Sequence, residues 1–186
     1  MSSPQKDPWL FDFVKSGLLA ILFVVIARAF IAQPFIVNGQ SMEPTFVENE
    51  YMIVDQVTYR LVRDPSRGDV VIFRYPKNPS VYYIKRIIGI PGETVDVRGT
   101  DIYVTSNGVT FKLNEDYVEF NENPFESKKV TLKDGEYFVL GDNRSVSADS
   151  RVWGILPKEN IVGIPAVTLY PLEKISFYPG AIKFER

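Results

Sequence analysis

The chain has 186 residues, enough for one modest domain with a subdomain or an anchor. Its 21 Lys and Arg against 23 Asp and Glu give a net charge of −2, without the basic excess that phosphate backbones select, so nucleic acid is not an expected partner. With no Cys and no His, disulfides, thiolate nucleophiles, histidine triads and nearly all zinc enzyme sites are excluded, and acid–base chemistry falls to Lys, Asp, Glu or Tyr.

From Gly17 to Ala32 the chain reads GLLAILFVVIARAFIA, with Arg28 as its one charge. Adding Ser16 and residues 33–37 reaches the roughly 20 residues that cross a hydrocarbon core. Three readings compete: a retained transmembrane helix, a secretory signal cut near Ala27-Arg28-Ala29, and a buried core helix. Length favours the retained anchor. Lys6 and Lys15 precede the run, and no Lys or Arg lies between Arg28 and Arg60. The positive-inside rule therefore predicts a single pass with a cytoplasmic N-terminus, and the lipid bilayer is an expected partner. The expected division is a tail and anchor over 1–36 and an extracytoplasmic domain over 37–186.

Beyond Pro34 the sequence turns to short β-type runs at 51–54, 69–73, 82–88, 94–97, 102–104, 137–140, 161–162 and 166–170. Turn residues such as Pro91-Gly92, Asn107-Gly108 and Asp134-Gly135 separate them. The pattern predicts a mainly β domain of antiparallel, barrel-like or folded sheets. A more polar stretch, about 98–133, reads as a smaller β insertion.

Three segments carry candidate chemistry. Ser41 follows Gly39 and precedes Pro44; taken alone it reads as a turn residue. Lys85 lies in the apolar run 82–88, and no other lysine has bulky apolar residues at both i−2 and i+2. Burial there lowers an amine pKa. A neutral base requires a fall from about 10.4 to roughly 7–8, at a cost of about 4 kcal/mol of stability. The competing reading is an edge strand guarded by Lys85 and Arg86. The third segment, 141–151, is a dense polar stretch: either a solvated loop, or an Asp149–Arg151 ion pair with Ser145, Ser147 and Ser150 in reach of a buried amine. Arg144 and Arg151 oppose a Ca²⁺ loop, and no metal site is expected.

Taken together, the apolar run and segments 41–45, 67–71, 83–92 and 141–151 resemble bacterial type I signal peptidases, in that family's order and over nearly the whole chain. The resemblance implies Ser41 as nucleophile, Lys85 as general base, Ser147 as the hydroxyl orienting the lysine, and Asp149 with Arg151 as a supporting salt bridge. Asp142 and Asn143 match an architectural turn. Many members carry a Ser two residues before the nucleophile, where this chain has Gly39, so the oxyanion donors expected are the Ser41 N–H and another backbone N–H near Gly39. The resemblance also implies a plasma (inner) membrane enzyme without cofactors, acting on exported preproteins with signal peptides. Substrate would lie extended beside Val37, Met42, Tyr82, Tyr83 and Ile84, with small residues one and three positions before the cut. Two alternatives stand beside this: a self-cleaving protein of the LexA type, and a membrane-anchored β module that binds without cutting.

Overall fold

The computed structural model describes residues 8–30, 32–118, 127–182 and 184. Helix α1 (Pro8–Phe30) has 23 residues, about 34 Å at the helical rise. It begins earlier than the apolar run and stops before residues 33–37, which the span was expected to include. Residues 33–36, with Ala32 of the apolar run, instead form β1 (Ala32–Ile36), which pairs antiparallel with β2 (Tyr51–Asp55), Pro34 opposite Ile53. Pro34 explains the break, because it lacks an N–H and drives the residue before it out of the helical region. The described side chains of α1, at Trp9 and over 11–24, are all exposed, which removes the core-helix reading for that stretch. Among the described residues no helix is long and apolar enough to cross a membrane. The side chains of 25–32, with Arg28 and the small-residue pair around it, lie outside the described ones.

The remaining strands follow as β3 (Val70–Tyr75), β4 (Asn78–Gly89), β5 (Thr94–Arg98), β6 (Asp101–Ser106), β7 (Val109–Lys112), β8 (Lys128–Thr131) and β9 (Glu136–Leu140). A one-turn helix α2 (Ser150–Trp153) then leads to β10 (Leu156–Pro157), β11 (Ile161–Tyr170) and β12 (Ser176–Phe177). Eight strands form one antiparallel sheet in the order β1-β2-β11-β3-β4-β9-β10, with β12 on β11. Among the described residues its outer strands do not pair with each other, so the sheet is open and not a closed barrel. The other four form a second sheet, β7-β6-β5-β8, which begins at Thr94 and not near 98. Residues 119–126 of the polar stretch lie outside the described ones.

The continuous apolar run of β3 reflects burial on both faces, as for any strand covered on two sides. Val70 and Ile72 pack with Val37, Met42, Phe46, Met52 and Val54. Val71 and Phe73 pack with Ile87, Tyr137, Val139 and Leu156. A third cluster joins the two sheets, with Ile88, Phe138 and Leu140 against Val95, Val97, Ile102, Val104 and Leu113. Strand β4 therefore lies inside the sheet, paired with β3 through Val71–Lys85 and with β9 through Arg86–Leu140. The edge-strand reading of Lys85 and Arg86 does not hold.

Candidate active site

Ser41 sits on the loop joining β1 to β2. That loop is closed at its base by Val37 N–H donating to Glu50 O and Asn49 N–H to Val37 O, both 2.9 Å. Within it Phe46 N–H donates to Met42 O (2.9 Å), a helical turn that drives Met42 and Phe46 into the core. Met42 is thus a core residue and not the expected substrate contact. Its neighbour Ser41 is left half-buried at a cleft of about 850 Å³. Gly39 has φ +87°, a left-handed conformation that side chains resist, although a Cβ there would touch nothing within 4 Å. Any side chain at this position would strain this backbone.

Lys85 approaches Ser41 from β4. It is 4% exposed, and its Nζ donates to Ser41 Oγ at 2.6 Å and to Ile84 O at 2.8 Å. Burial pulls the ammonium down from its ordinary value near 10.5 to about 8, Asp149 and Asp142 pulling the other way and Arg151 adding to the fall. In the neutral state the amine keeps an N–H for Ile84 O and turns its lone pair to the Ser41 hydroxyl. That is the arrangement of a base beside a nucleophile.

The loop from Gly141 to Asp149 closes over these two residues. Asn143 N–H donates to Ser41 O at 3.1 Å. A Cβ at Gly141 would stand 2.4 Å from Ser41 O and 2.3 Å from Ser147 Oγ, so only glycine permits this approach. Asp149 and Arg151 form a buried two-pronged pair, both contacts 2.8 Å. Asp149 also accepts from Gly141 N–H and Arg151 N–H, while Arg151 donates to Arg144 O. The pair holds the ends of the loop together. Ser147 Oγ is buried with no hydrogen-bond partner among the described residues, so the expected bond to Lys85 is not formed here. Ser145 instead bonds Asn143, and Ser150 accepts from Val139 N–H, so neither reaches the amine.

Sequence reasoning missed the role of Arg86. It is 0% exposed, and its guanidinium grips Asp142 through Nε–Oδ1 (2.8 Å) and Nη2–Oδ2 (2.6 Å). Thr45 Oγ1 also donates to Asp142 Oδ2 at 2.6 Å, linking the Ser41 loop to the same carboxylate. The available signal was an arginine in an interior apolar strand, which requires a buried acid as partner. Among the described residues no group of three or more candidate ligands gathers to hold a metal ion.

The cleft runs from Ser41 and Lys85 between two unpaired strand edges. β1 is an outer strand, and the Tyr82–Ile84 part of β4 has no β9 partner, since β9 meets β4 only at 86–89. Val37, Tyr82, Tyr83 and Ile84 line it, with Met52 and Ile72 also in the lining. An extended peptide fits such a groove by adding a strand.

Residues 10–170 match the family described as "Signal peptidase, peptidase S26". The chain belongs to this family. It is 35% identical over 178 residues to a probable signal peptidase I-2 of Synechocystis, covering 93% of this chain and 78% of that protein. It is 34% identical to signal peptidase I P of Bacillus subtilis subsp. natto, over 92% of this chain and 95% of the relative. It is also 34% identical to signal peptidase I of Bacillus licheniformis, with 93% and 95% covered. The family is that of the bacterial type I signal peptidases, and the chain is a serine endopeptidase.

Proposed function

We propose that this chain is a membrane-anchored signal peptidase that cuts exported preproteins with a Ser41/Lys85 dyad. The observation that carries the reading is the 2.6 Å contact between Lys85 Nζ, a buried amine, and Ser41 Oγ. Neutral Lys85 takes the Ser41 proton as Oγ attacks the scissile carbonyl, and the resulting ammonium returns a proton to the leaving amine. Water activated by the same amine then hydrolyses the ester. The Ser41 N–H and a backbone N–H near Gly39 receive the oxyanion. Ser147 orients the lysine: its unpartnered hydroxyl is free to accept from the ammonium once the proton has moved. Asp149 and Arg151 hold the loop, and Asp142 and Asn143 brace the turn behind Ser41.

In this reading 1–36 is the tail and anchor and 37–186 the extracytoplasmic catalytic domain. The exposed apolar side chains of α1, among them Trp9, Phe11, Phe13, Leu18 and Phe23, support the anchor, which raises the local concentration of signal peptides emerging at the same surface. Protease added outside spheroplasts is expected to reach the catalytic domain; full protection of that domain would contradict the topology.

The test of the function is incubation of the purified protein with a preprotein, with mass spectrometry of the products beside a Ser41→Ala control. A single cut at the end of the signal peptide, absent from the control, is expected. Replacing the residue before the cut with Phe is expected to slow cleavage by about 100-fold, because a pocket shaped for a small side chain rejects bulk by overlap. Equal cleavage of the Phe variant would contradict the assignment.

A further inference from the structure

Two of the three buried arginines around the site, Arg86 and Arg144, are met from the same short piece of chain. Residues 113–118 leave the second sheet, where Leu113 is buried in the cluster joining the sheets and its N–H donates to Ile102 O at 2.8 Å. Two residues on, Glu115 receives the Arg144 guanidinium in two contacts, 3.1 and 2.5 Å. The Arg144 and Glu115 side chains are only 3% and 9% exposed. Tyr117 donates its hydroxyl to Glu115 Oε1 at 2.8 Å, and the Arg86 guanidinium carbon lies 4.4 Å from the centre of its ring. Arg144 passes this on: its Nε donates to Gly141 O at 3.0 Å, and its own carbonyl receives Arg151. Gly141 packs on the Ser41 carbonyl, and Asn143 N–H bonds it.

We propose that Glu115 and Tyr117, neither of which lines the substrate cleft, are positioning residues for the reaction. They form a strut by which the second sheet sets the Gly141–Asn143 turn and so the Ser41 backbone. The proposal rests on Ser41 being the nucleophile. Without Glu115, the buried Arg144 guanidinium loses its salt-bridge partner and keeps only the more distant Asp142 charge and the Gly141 carbonyl, a state that favours rearrangement. Movement of the turn displaces the Ser41 backbone while the part of the cleft lining supplied by strands β1, β2, β3 and β4 stays in place. The predicted signature is therefore a loss in kcat with little change in KM.

The test uses the full chain in detergent, at a temperature where circular dichroism shows each variant fully folded. Glu115→Gln preserves volume and removes the charge; it is expected to lower kcat by about tenfold to a hundredfold, the scale of an ångström-sized misplacement, with KM changed less than about threefold. Tyr117→Phe keeps the ring over Arg86 and is expected to lose less than Tyr117→Leu. Because Glu115 acts through Arg144, the Glu115→Gln, Arg144→Leu double variant should be no slower than Arg144→Leu alone. Hydrogen exchange adds a readout independent of activity: peptides covering 141–151 should exchange faster in Glu115→Gln, while those of β3 and β11 stay unchanged. Wild-type kcat in folded Glu115→Gln, additive losses in the double variant, or unchanged exchange over 141–151 would each overturn the strut. A wild-type protein that cuts no preprotein would instead overturn the proposed function, and the exchange result would still judge the strut.

Discussion

Lys85→Arg is expected to be as inactive as Lys85→Ala, each losing about 10²–10⁴-fold, the usual worth of a positioned base. Arginine keeps the positive charge but cannot deprotonate, so retained activity would assign Lys85 an electrostatic role instead. Ser41→Ala, Lys85→Ala and their double variant should lose comparable amounts, because removing either partner already disables the shared step. The acidic limb of the kcat/KM profile should turn near pH 8, where the buried amine titrates. Roughly one-tenth of the enzyme then holds a neutral base at pH 7. A limb that turns near the ordinary lysine value, or additive losses in the double variant, would sink the dyad.

The same shift has a sign for stability. The folded amine titrates near 8 and the unfolded one near 10.5, so between those values the unfolded chain binds more protons. Stability from this group is therefore lowest below pH 8 and rises as pH increases through that window. Lys85→Met, which removes the buried charge, is expected to be inactive yet no less stable than wild type at pH 7, as read by thermal unfolding.

Much of this fold was legible because its interior strands are covered on both faces. The apolar runs at 69–73 and 137–140 correspond to β3 and β9, and the lysine with apolar neighbours on both sides lies in β4. The strands that escaped sequence reading lack that signal. β7 and β8 are short, largely exposed and rich in Lys and Thr, and β1 is hidden in the end of the apolar run, where only Pro34 marks the change. At the site, Lys85 stands out in the sequence by its apolar neighbours, whereas Ser41, taken alone a turn residue, is singled out only by the family order. Met42 was misjudged because the turn that buries it is set by a backbone hydrogen bond to Phe46. The partners of Arg86 and Arg144 lie 56 and 29 residues away, a pairing no local pattern reveals.

Asp142→Ala should be among the most destabilising single changes in the catalytic domain. It leaves the Arg86 guanidinium, with no solvent exposure, without the only charged partner it has among the described residues, and breaking a buried pair on one side costs about 3–5 kcal/mol. For a chain of this length that lowers the melting temperature by roughly 10 °C. Thr45 Oγ1 loses its acceptor in the same stroke, freeing the Ser41 loop from the turn beneath it, so activity should fall further than unfolding alone explains. Replacing both partners with apolar residues, Arg86→Met with Asp142→Leu, removes the stranded charge and should recover part of the stability. Recovery stays partial because Arg86 also donates to the carbonyls of Gly68 and Gly180, which the double variant leaves unpaired. The double variant should keep the same loss of activity, since Thr45 still has no carboxylate to hold. A double variant with restored turnover would show that the Arg86–Asp142 pair serves the fold alone, and that the Ser41 loop is held in place without it.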